Sequence, residues 1–203
     1  YGPDHPEVAK TLYYLGIAYN GLCDHGKARD ACERALPIVE QACGSGSKEV
    51  ATTLGNLGIA YDMSGDHAKA RELYESALAI FKRAYGPDHP EVAKTLYNLG
   101  MAYCQSGDHA KQRDALERAL PILVRTYGPN SKEVATMLNN LGIAYGKLGD
   151  YAKLRGVLER ALRIMARTYG PERPEVAGTL HDLGLVHGKL GDHAKKRDML
   201  KHA

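Results

Sequence analysis

The sequence contains no tryptophan and only one phenylalanine, and its apolar runs are all short. A membrane-spanning helix needs about 20 consecutive apolar residues, so the sequence predicts none. The sequence also lacks a large excess of one charge sign, because its 27 basic and 24 acidic residues give a net charge of only +3. This balance argues against a charged tail or a surface built for nucleic acid or membrane binding. The scarcity of large aromatic residues indicates a thin core made of small and medium side chains.

Cysteine is sparse too, and the four residues match no disulfide framework and no metal-binding pattern. Together with the absence of an N-glycosylation acceptor, this favours a reducing, cytoplasmic location. Motifs for catalysis are also missing: the segment 44–48 superficially resembles a phosphate loop but lacks the Gly-Lys-Ser/Thr ending. Histidines recur at one fixed position, next to a predicted helix start, which is typical of packing or surface residues. The sequence therefore predicts no enzymatic activity, no metal and no cofactor.

What the sequence does contain is a repeat of 42 residues, visible in the recurring pairs Tyr1-Gly2, Cys43-Gly44, Tyr85-Gly86, Tyr127-Gly128 and Tyr169-Gly170. A fixed period of this length indicates an array of stacked units rather than one central core. We expect a single array over residues 1–203, with repeats at 1–42, 43–84, 85–126, 127–168 and a truncated one at 169–203. The truncation suggests a fragment of a longer array.

Each repeat is predicted to form two antiparallel helices, A and B. In the first half, apolar residues such as Val50, Leu54, Leu57 and Tyr61 lie on one helical face. Helix A is predicted over about residues 6–21 of the first repeat, ending near a glycine in the later ones. An aspartate then follows in every repeat, which is a good N-cap for helix B. Two proline residues inside helix B, at positions 37 and 121, predict a bend or a break there.

A glycine also stands in the middle of helix A of every repeat, where it costs about 1 kcal/mol relative to alanine. Its constant position indicates close contact between helices. The small residues expected to face it are Ala35, Ala77, Ala119 and Ala161. At position 23 a cysteine replaces the glycine that ends helix A elsewhere, so this turn either keeps a left-handed backbone at some cost or relaxes.

The pattern Leu-x-x-Leu-Gly-x-Ala-Tyr, followed by Gly-Asp-His-Ala-Lys and Glu-Arg-Ala-Leu, resembles the tetratricopeptide repeat (TPR). Segments 96–103 and 138–145 carry the best matches. The 42-residue length and the Tyr-Gly-Pro-Asp-His-Pro-Glu-Val-Ala entry are similar to the kinesin light chain branch of that family. The resemblance implies an all-α fold, a right-handed TPR superhelix or α-solenoid of helix-turn-helix repeats, whose concave groove is lined by helix A and receives a peptide.

We expect the helix A side chains that point away from the core to line this groove. They are Lys10, Tyr13, Ile17 and Asn20; Thr52, Asn56, Ile59 and Met63; Lys94, Tyr97, Asn98, Met101 and Gln105; and Asn139, Asn140, Ile143 and Lys147. Asparagines at 56, 98 and 140 form a row suited to a peptide backbone, because an amide both donates and accepts hydrogen bonds. The alternative is that these amides join neighbouring helices. The apolar floor at Ile17, Ile59, Met101, Ile143 and Leu185 argues against a clamp for a C-terminal carboxylate.

The sequence thus predicts a scaffold that binds a peptide segment of a protein partner. Alternatives are a structural spacer or self-assembling array and, less favoured, an RNA-binding solenoid. The RNA alternative is weakened because basic residues lie mainly on helix B. Apolar faces at both ends of the fragment predict end-to-end stacking of copies. The identity of the partner is not encoded in any motif of the sequence.

Overall fold

The computed structural model of the chain describes Gly2, residues 5–170 and residues 172–202, without the side chains of residues 175 and 202. This part of the chain forms helices and connecting turns and contains no strand. The ten helices described are α1 (Pro6–Gly21), α2 (His25–Cys43), α3 (Lys48–Met63), α4 (His67–Tyr85), α5 (Pro90–Gln105), α6 (His109–Tyr127), α7 (Lys132–Leu148), α8 (Tyr151–Tyr169), α9 (Pro174–Lys189) and α10 (His193–His202). None of these helices is long and apolar enough to cross a membrane.

The helices belong to two compact units, the first ending at Gly107 and the second beginning at Asp108. In the first unit, each of α1 to α4 packs against the next helix along the chain, and α3 also contacts α1 and α5. In the second unit, α6 to α10 pack in the same consecutive way. Odd-numbered helices correspond to the predicted helix A and even-numbered ones to helix B. Each unit is therefore a stack of antiparallel helices joined by short turns.

Side-chain caps fix where the helices begin. The carboxylates of Asp24, Asp66, Asp108 and Asp150 accept hydrogen bonds from backbone N–H groups three residues later, as predicted for helix B. At α3 and α7 the hydroxyl groups of Ser47 and Ser131 play this role. The imidazoles of His5 and His89 accept hydrogen bonds from backbone N–H groups at the start of α1 and α5. Because each cap satisfies an N–H group that the helix itself leaves unpaired, the 42-residue pattern sets the helix boundaries.

The mid-helix glycines allow close contact, as expected, but the residues that face them are not the predicted alanines. A Cβ atom at Gly16 would lie 2.5 Å from Sγ of Cys32, and one at Gly58 would lie 2.6 Å from Cε1 of Tyr74. Leu158 and Leu200 occupy the same repeat position and lie against Gly142 and Gly184. The predicted alanines, Ala35, Ala77, Ala119 and Ala161, are buried at other contacts. The glycines therefore make room for large side chains from helix B.

The structure answers two questions that the sequence left open, one about the turn at Cys23 and one about the prolines inside α2 and α6. Cys23 keeps a left-handed backbone, with φ at 60°, where the glycines of later repeats have φ between 77° and 89°. The turn does not relax, because its backbone hydrogen bonds to Asn20 and Tyr19 are retained. At Pro37 and Pro121, no break occurs, since α2 and α6 continue past both residues. Both prolines are exposed, so their rings avoid the packed interior while each removes one backbone hydrogen bond.

Candidate functional site

All seventeen predicted groove residues lie on α1, α3, α5 or α7, and every one of their side chains is exposed or half-buried. None is lost to the core. Ten of them line three cavities, one beside α1 and α3, one between α3 and α5, and one between α7 and α9. In each unit, the odd-numbered helices therefore present solvent-accessible side chains beside at least one depression.

The cavity beside α1 and α3 has a volume of about 350 Å³ and brings together Lys10, Tyr13 and Thr52. Its wall is completed by Val39 and neighbouring residues of α2. Burial raises the pKa of the Tyr13 hydroxyl, and a hydrogen bond with the side chain of Asn56 partly offsets this effect. Asn56 is therefore engaged in holding α1 against α3, which is the internal role that the sequence left open for the asparagine row.

The depression between α3 and α5 is small, at about 30 Å³. The predicted residues that line it are Thr52, Asn56, Ile59, Lys94 and Asn98. A volume of this size is that of a single water molecule, so the packed helices leave no room here for a ligand side chain. Five predicted residues are thus gathered at one place, but they form a surface instead of a pocket.

The largest of the three cavities lies between α7, α8 and α9 and has a volume of about 740 Å³. Asn139, Ile143 and Lys147 of the predicted set line it. Three glycines, Gly142, Gly146 and Gly178, line it too. Every repeat has a glycine at the position of Gly142, but other repeats have side chains at the positions of Gly146 and Gly178. Position 178 corresponds to lysine or threonine in the other repeats, and position 146 to asparagine, aspartate or cysteine in three of them. The space is therefore created by the sequence of these two repeats.

Asn139 gives this cavity an unusual polar group. Its amide nitrogen lies 4.0 Å from the sulfur of Met165, a weak contact. Its Oδ1 atom is buried and has no hydrogen-bond partner among the described residues. A buried acceptor without a donor costs about 1–3 kcal/mol, so a partner that supplies an N–H or O–H group would recover this energy. Lys147, Lys189 and Asp182 provide charges around the cavity.

Other predicted residues are not brought to a cavity. Asn20 donates a hydrogen bond to the backbone carbonyl of Asn56, which joins α1 to α3. The carbonyl of Asn140 accepts a hydrogen bond from the buried Gln112 of α6. The remaining members are accessible on their helices without lining any of the cavities described here: Ile17, Met63, Tyr97, Met101 and Gln105.

The structure also shows a recurring polar contact that the sequence reasoning missed. Hydroxyl groups of Tyr61, Tyr103 and Tyr145 donate hydrogen bonds of 2.5 to 2.8 Å to Glu33, Glu75 and Glu117 of the preceding helix B. An arginine one turn before the glutamate, at position 29 or 71, stacks on the ring of the first two tyrosines. The apolar spacing of helix A predicts these tyrosines on its apolar face. A constant spacing of 28 residues between glutamate and tyrosine was the signal that could have revealed the contact.

The chemistry of the cysteine and histidine side chains offers no reactive centre. All four cysteines are free, and burial raises the pKa of the Cys32 thiol to about 11, so little thiolate forms at neutral pH. Nδ1 of His67 lies 2.7 Å from Asp62 and joins the end of α3 to the start of α4. Within the described part of the chain, no group of three or more potential ligands is placed to hold a metal ion.

The stacked antiparallel helix pairs, their glycine-assisted contacts and their capped turns define an α-helical repeat protein. The model of the tetratricopeptide repeat family matches residues 49–123, 98–153 and 133–203. Since these matches cover well over half of the sequence, the chain belongs to the TPR family. No curated protein sequence matches the chain.

Solved structures agree with this assignment. One is a protein from Podosopora anserina described as a candidate kinesin light chain with nearly identical TPR-like repeats. It is 22% identical, with a TM-score of 0.82 over 98% of this chain and 94% of that one. BtubC (BKLC) from P. vanneervenii is 25% identical, with a TM-score of 0.80 over 97% of this chain and 78% of that one. MamA is 20% identical, with a TM-score of 0.68 over 93% of this chain and 91% of that one.

These findings confirm the predicted fold class, an all-α TPR superhelix, and its likeness to kinesin light chain-type repeats. The TPR fold commonly serves as a scaffold for protein interactions. Its surface, and not its fold, determines what an individual member binds.

Proposed function

We propose that this protein is a non-enzymatic scaffold, located in the cytoplasm, that binds a peptide segment of a protein partner on the exposed face of helix A. The observation that carries the proposal is the cavity of about 740 Å³ between α7 and α9, whose lining residues include Asn139, a side chain with a buried, unpartnered Oδ1 atom. A largely apolar cavity with a few polar side chains in its lining is typical of ligand-binding sites.

The chemistry of the cavity favours a peptide over other ligands. The backbone of an extended segment offers N–H and C=O groups to polar side chains of the lining such as Asn139 and Thr179. Leu154, Leu158 and Val186 form an apolar floor for a side chain of the segment. Lys147 and Lys189 on the rim exceed the single Asp182 in charge, which favours a segment with an acidic residue beside the apolar one. Nucleic acid is disfavoured, because this floor is aliphatic and offers a base only Tyr151 to stack on.

The substitution Gly178→Leu tests this proposal. A Cβ at Gly178 has no atom within 4 Å, so the larger side chain extends into the cavity without displacing a helix. We expect peptides selected from a random library on the wild-type protein to bind the variant at least tenfold more weakly. The melting temperature should be equal or higher, because glycine is the poorer helix former by about 1 kcal/mol.

Gly156→Leu on α8 is the matched control, since its Cβ is also free of contacts and it does not line the cavity. It should melt like the first variant and bind peptides like the wild type. Asn139→Ala should also weaken binding while leaving the helical circular dichroism unchanged. Undiminished peptide binding by the Gly178 variant would refute the groove assignment, and loss of helical signal in the Asn139 variant would show a structural amide.

A second function, self-assembly into a longer array, is favoured by the exposed face of α1. Leu15 is 40% exposed, whereas its counterparts at positions 57, 99 and 141 are at most 5% exposed. Tyr14 and Leu22 are also exposed, at 59% and 76%. Within the described residues, no helix covers this face. Burying this surface against another copy would stabilise the assembly by about 25 cal/mol per Å² of apolar area.

Light scattering against protein concentration tests end-to-end stacking. The wild-type protein should show a rising mean mass, and Leu15→Glu should abolish the rise by placing a charge in the contact. Leu148→Glu is the matched control, because Leu148 is equally exposed at 41% but lies at the end of α7. A constant monomer mass for the wild type at high concentration, or equal effects of the two variants, would exclude stacking through α1.

A further inference from the structure

A second cavity in the second unit is lined by arginine side chains. It has a volume of about 570 Å³ and lies between α8 and the turn that joins α6 to α7. Arg160, Arg163 and Arg167 line one side, and Pro129 and Asn130 of the turn line the other. The spacing of three and four residues places the three arginines on one face of α8. None of these residues lines the cavity between α7 and α9.

The three guanidinium groups have no acidic partner. Within the part of the chain that the structure describes, no carboxylate lies within 4 Å of Arg160, Arg163 or Arg167. Elsewhere in the second unit, Arg113 pairs with Asp114 and Arg155 lies 3.8 Å from Glu159. Like charges one turn apart repel each other on a helix. No acidic side chain compensates this repulsion, so a bound anion would reduce it.

The cluster is also specific to this repeat. Position 163 is proline in the first and third repeats and alanine in the second. Consequently α8 carries five basic residues and one acidic residue, whereas α2 carries three of each. Positive charge is therefore concentrated on α8 by substitution at a position that elsewhere is neutral.

We propose that this cavity binds a phosphorylated serine or threonine in a segment of a protein partner. A phosphate monoester carries close to two negative charges and three acceptor oxygens, which match three guanidinium groups better than a single carboxylate does. The Asn130 side chain adds an amide opposite the arginines. A volume of about 570 Å³ admits a phosphorylated side chain together with part of its backbone.

Two other anionic partners fit the site less well. Insertion into a membrane surface requires apolar side chains beside the basic ones, but Ile164, the largest apolar residue of the lining, is 2% exposed and belongs to the core. Binding of single-stranded nucleic acid relies on aromatic side chains that stack on bases, and the cavity lining contains none. A phosphorylated peptide needs neither feature.

The experiment measures retention of a degenerate phosphoserine peptide library by the immobilised full chain at 0.15 M salt, beside the same library with serine. We expect retention of the phosphorylated library to be at least tenfold higher. Arg163→Ala should reduce it at least fivefold, and the triple variant with alanine at positions 160, 163 and 167 should abolish the difference. Arg155→Ala, which removes the same charge from α8 outside the cavity, is the matched control and should retain the library fully.

Equal retention of both libraries, or equal losses from Arg155→Ala and Arg163→Ala, would overturn the proposal. Vesicles with phosphatidylinositol bisphosphate and a 20-nucleotide RNA are tested in parallel. Binding of either one that depends on Arg163, without preference for the phosphorylated library, would assign the site to that partner instead. The Gly178→Leu variant should retain phosphopeptides normally, because its substitution lies in the other cavity.

Discussion

Replacing Gly58 by alanine is expected to lower the free energy of unfolding by about 2 kcal/mol, although alanine is the better helix former. The new Cβ would lie 2.6 Å from Cε1 and 2.9 Å from Cδ1 of Tyr74. That ring is 1% exposed and cannot move away without displacing other core residues. For a chain of this size, the midpoint of thermal unfolding should fall by about 4–8 °C.

Gly55→Ala provides the control within the same helix. Its Cβ would have no atom within 4 Å, so the substitution gains helix propensity without a clash and should raise the stability by up to about 1 kcal/mol. Circular dichroism melts of both variants decide the matter. If Gly58→Ala is as stable as Gly55→Ala, close packing of α3 against α4 is not the reason for glycine at position 58.

Removal of the three tyrosine hydroxyl groups at positions 61, 103 and 145 is expected to have a similarly large effect. Phenylalanine keeps each ring but eliminates the hydrogen bond to glutamate on the preceding helix. Each hydrogen bond contributes about 1 kcal/mol to the free energy of unfolding, and contributions from sites this far apart are additive. The triple variant should therefore lose about 3 kcal/mol and melt about 6–12 °C lower. Chemical denaturation and circular dichroism measure the two quantities.

The exposed tyrosines at positions 85, 127 and 169 supply a control with the same change in composition. Their hydroxyl groups have no hydrogen-bond partner among the described residues, so their replacement by phenylalanine should shift the melting midpoint by less than about 2 °C. Similar losses from both triple variants would mean that the hydrogen bonds to glutamate contribute nothing specific.

The same contacts predict how stability depends on pH. The hydrogen bond to Glu33 raises the pKa of Tyr61, and burial followed by the hydrogen bond to Glu117 raises that of Tyr145. A group whose pKa is higher in the folded state stabilises it fully below the unfolded value, which is about 10 for tyrosine. The stability gap between the wild type and the phenylalanine variant should therefore be constant from pH 7 to 9. It should narrow as the pH rises above 10.

Much of the fold could be predicted because the 42-residue register repeats local signals. Capping aspartates, turn glycines and apolar spacing each specify a helix boundary from a few neighbouring residues, and they agree in every repeat. The accessible positions on helix A follow from the same spacing. Pairwise contacts between helices were harder, since a sequence period shows which residues are equivalent but not which residues meet. This is why the alanines, and not Cys32 or Tyr74, were expected opposite the glycines.

The candidate site was predicted as a row of equivalent residues, whereas the structure differs from place to place along it. Asn56 contacts Tyr13, and the carbonyl of Asn140 is bound by Gln112, a buried residue where other repeats have alanine, leucine or lysine. The cavity between α7 and α9 results from glycines at positions where the repeats differ. Residues that differ between repeats therefore determine where a ligand finds space. A prediction based on the repeat treats equivalent positions as alike and so misses these differences.

The hydroxyl–carboxylate contacts also have a gap, with a mechanical consequence. His187 occupies the position of the tyrosines, and its buried Nδ1 atom lies 3.8 Å from Asp192, beyond hydrogen-bond distance. The glutamate at this junction, Glu159, lies near Arg155 of its own helix instead. The junction between α8 and α9 thus lacks the hydrogen bond between side chains that joins α2 to α3, α4 to α5 and α6 to α7. When the chain is pulled from its ends, the pair α9 and α10 should therefore detach from α8 at a lower force than is needed to separate the helices joined by tyrosine hydrogen bonds.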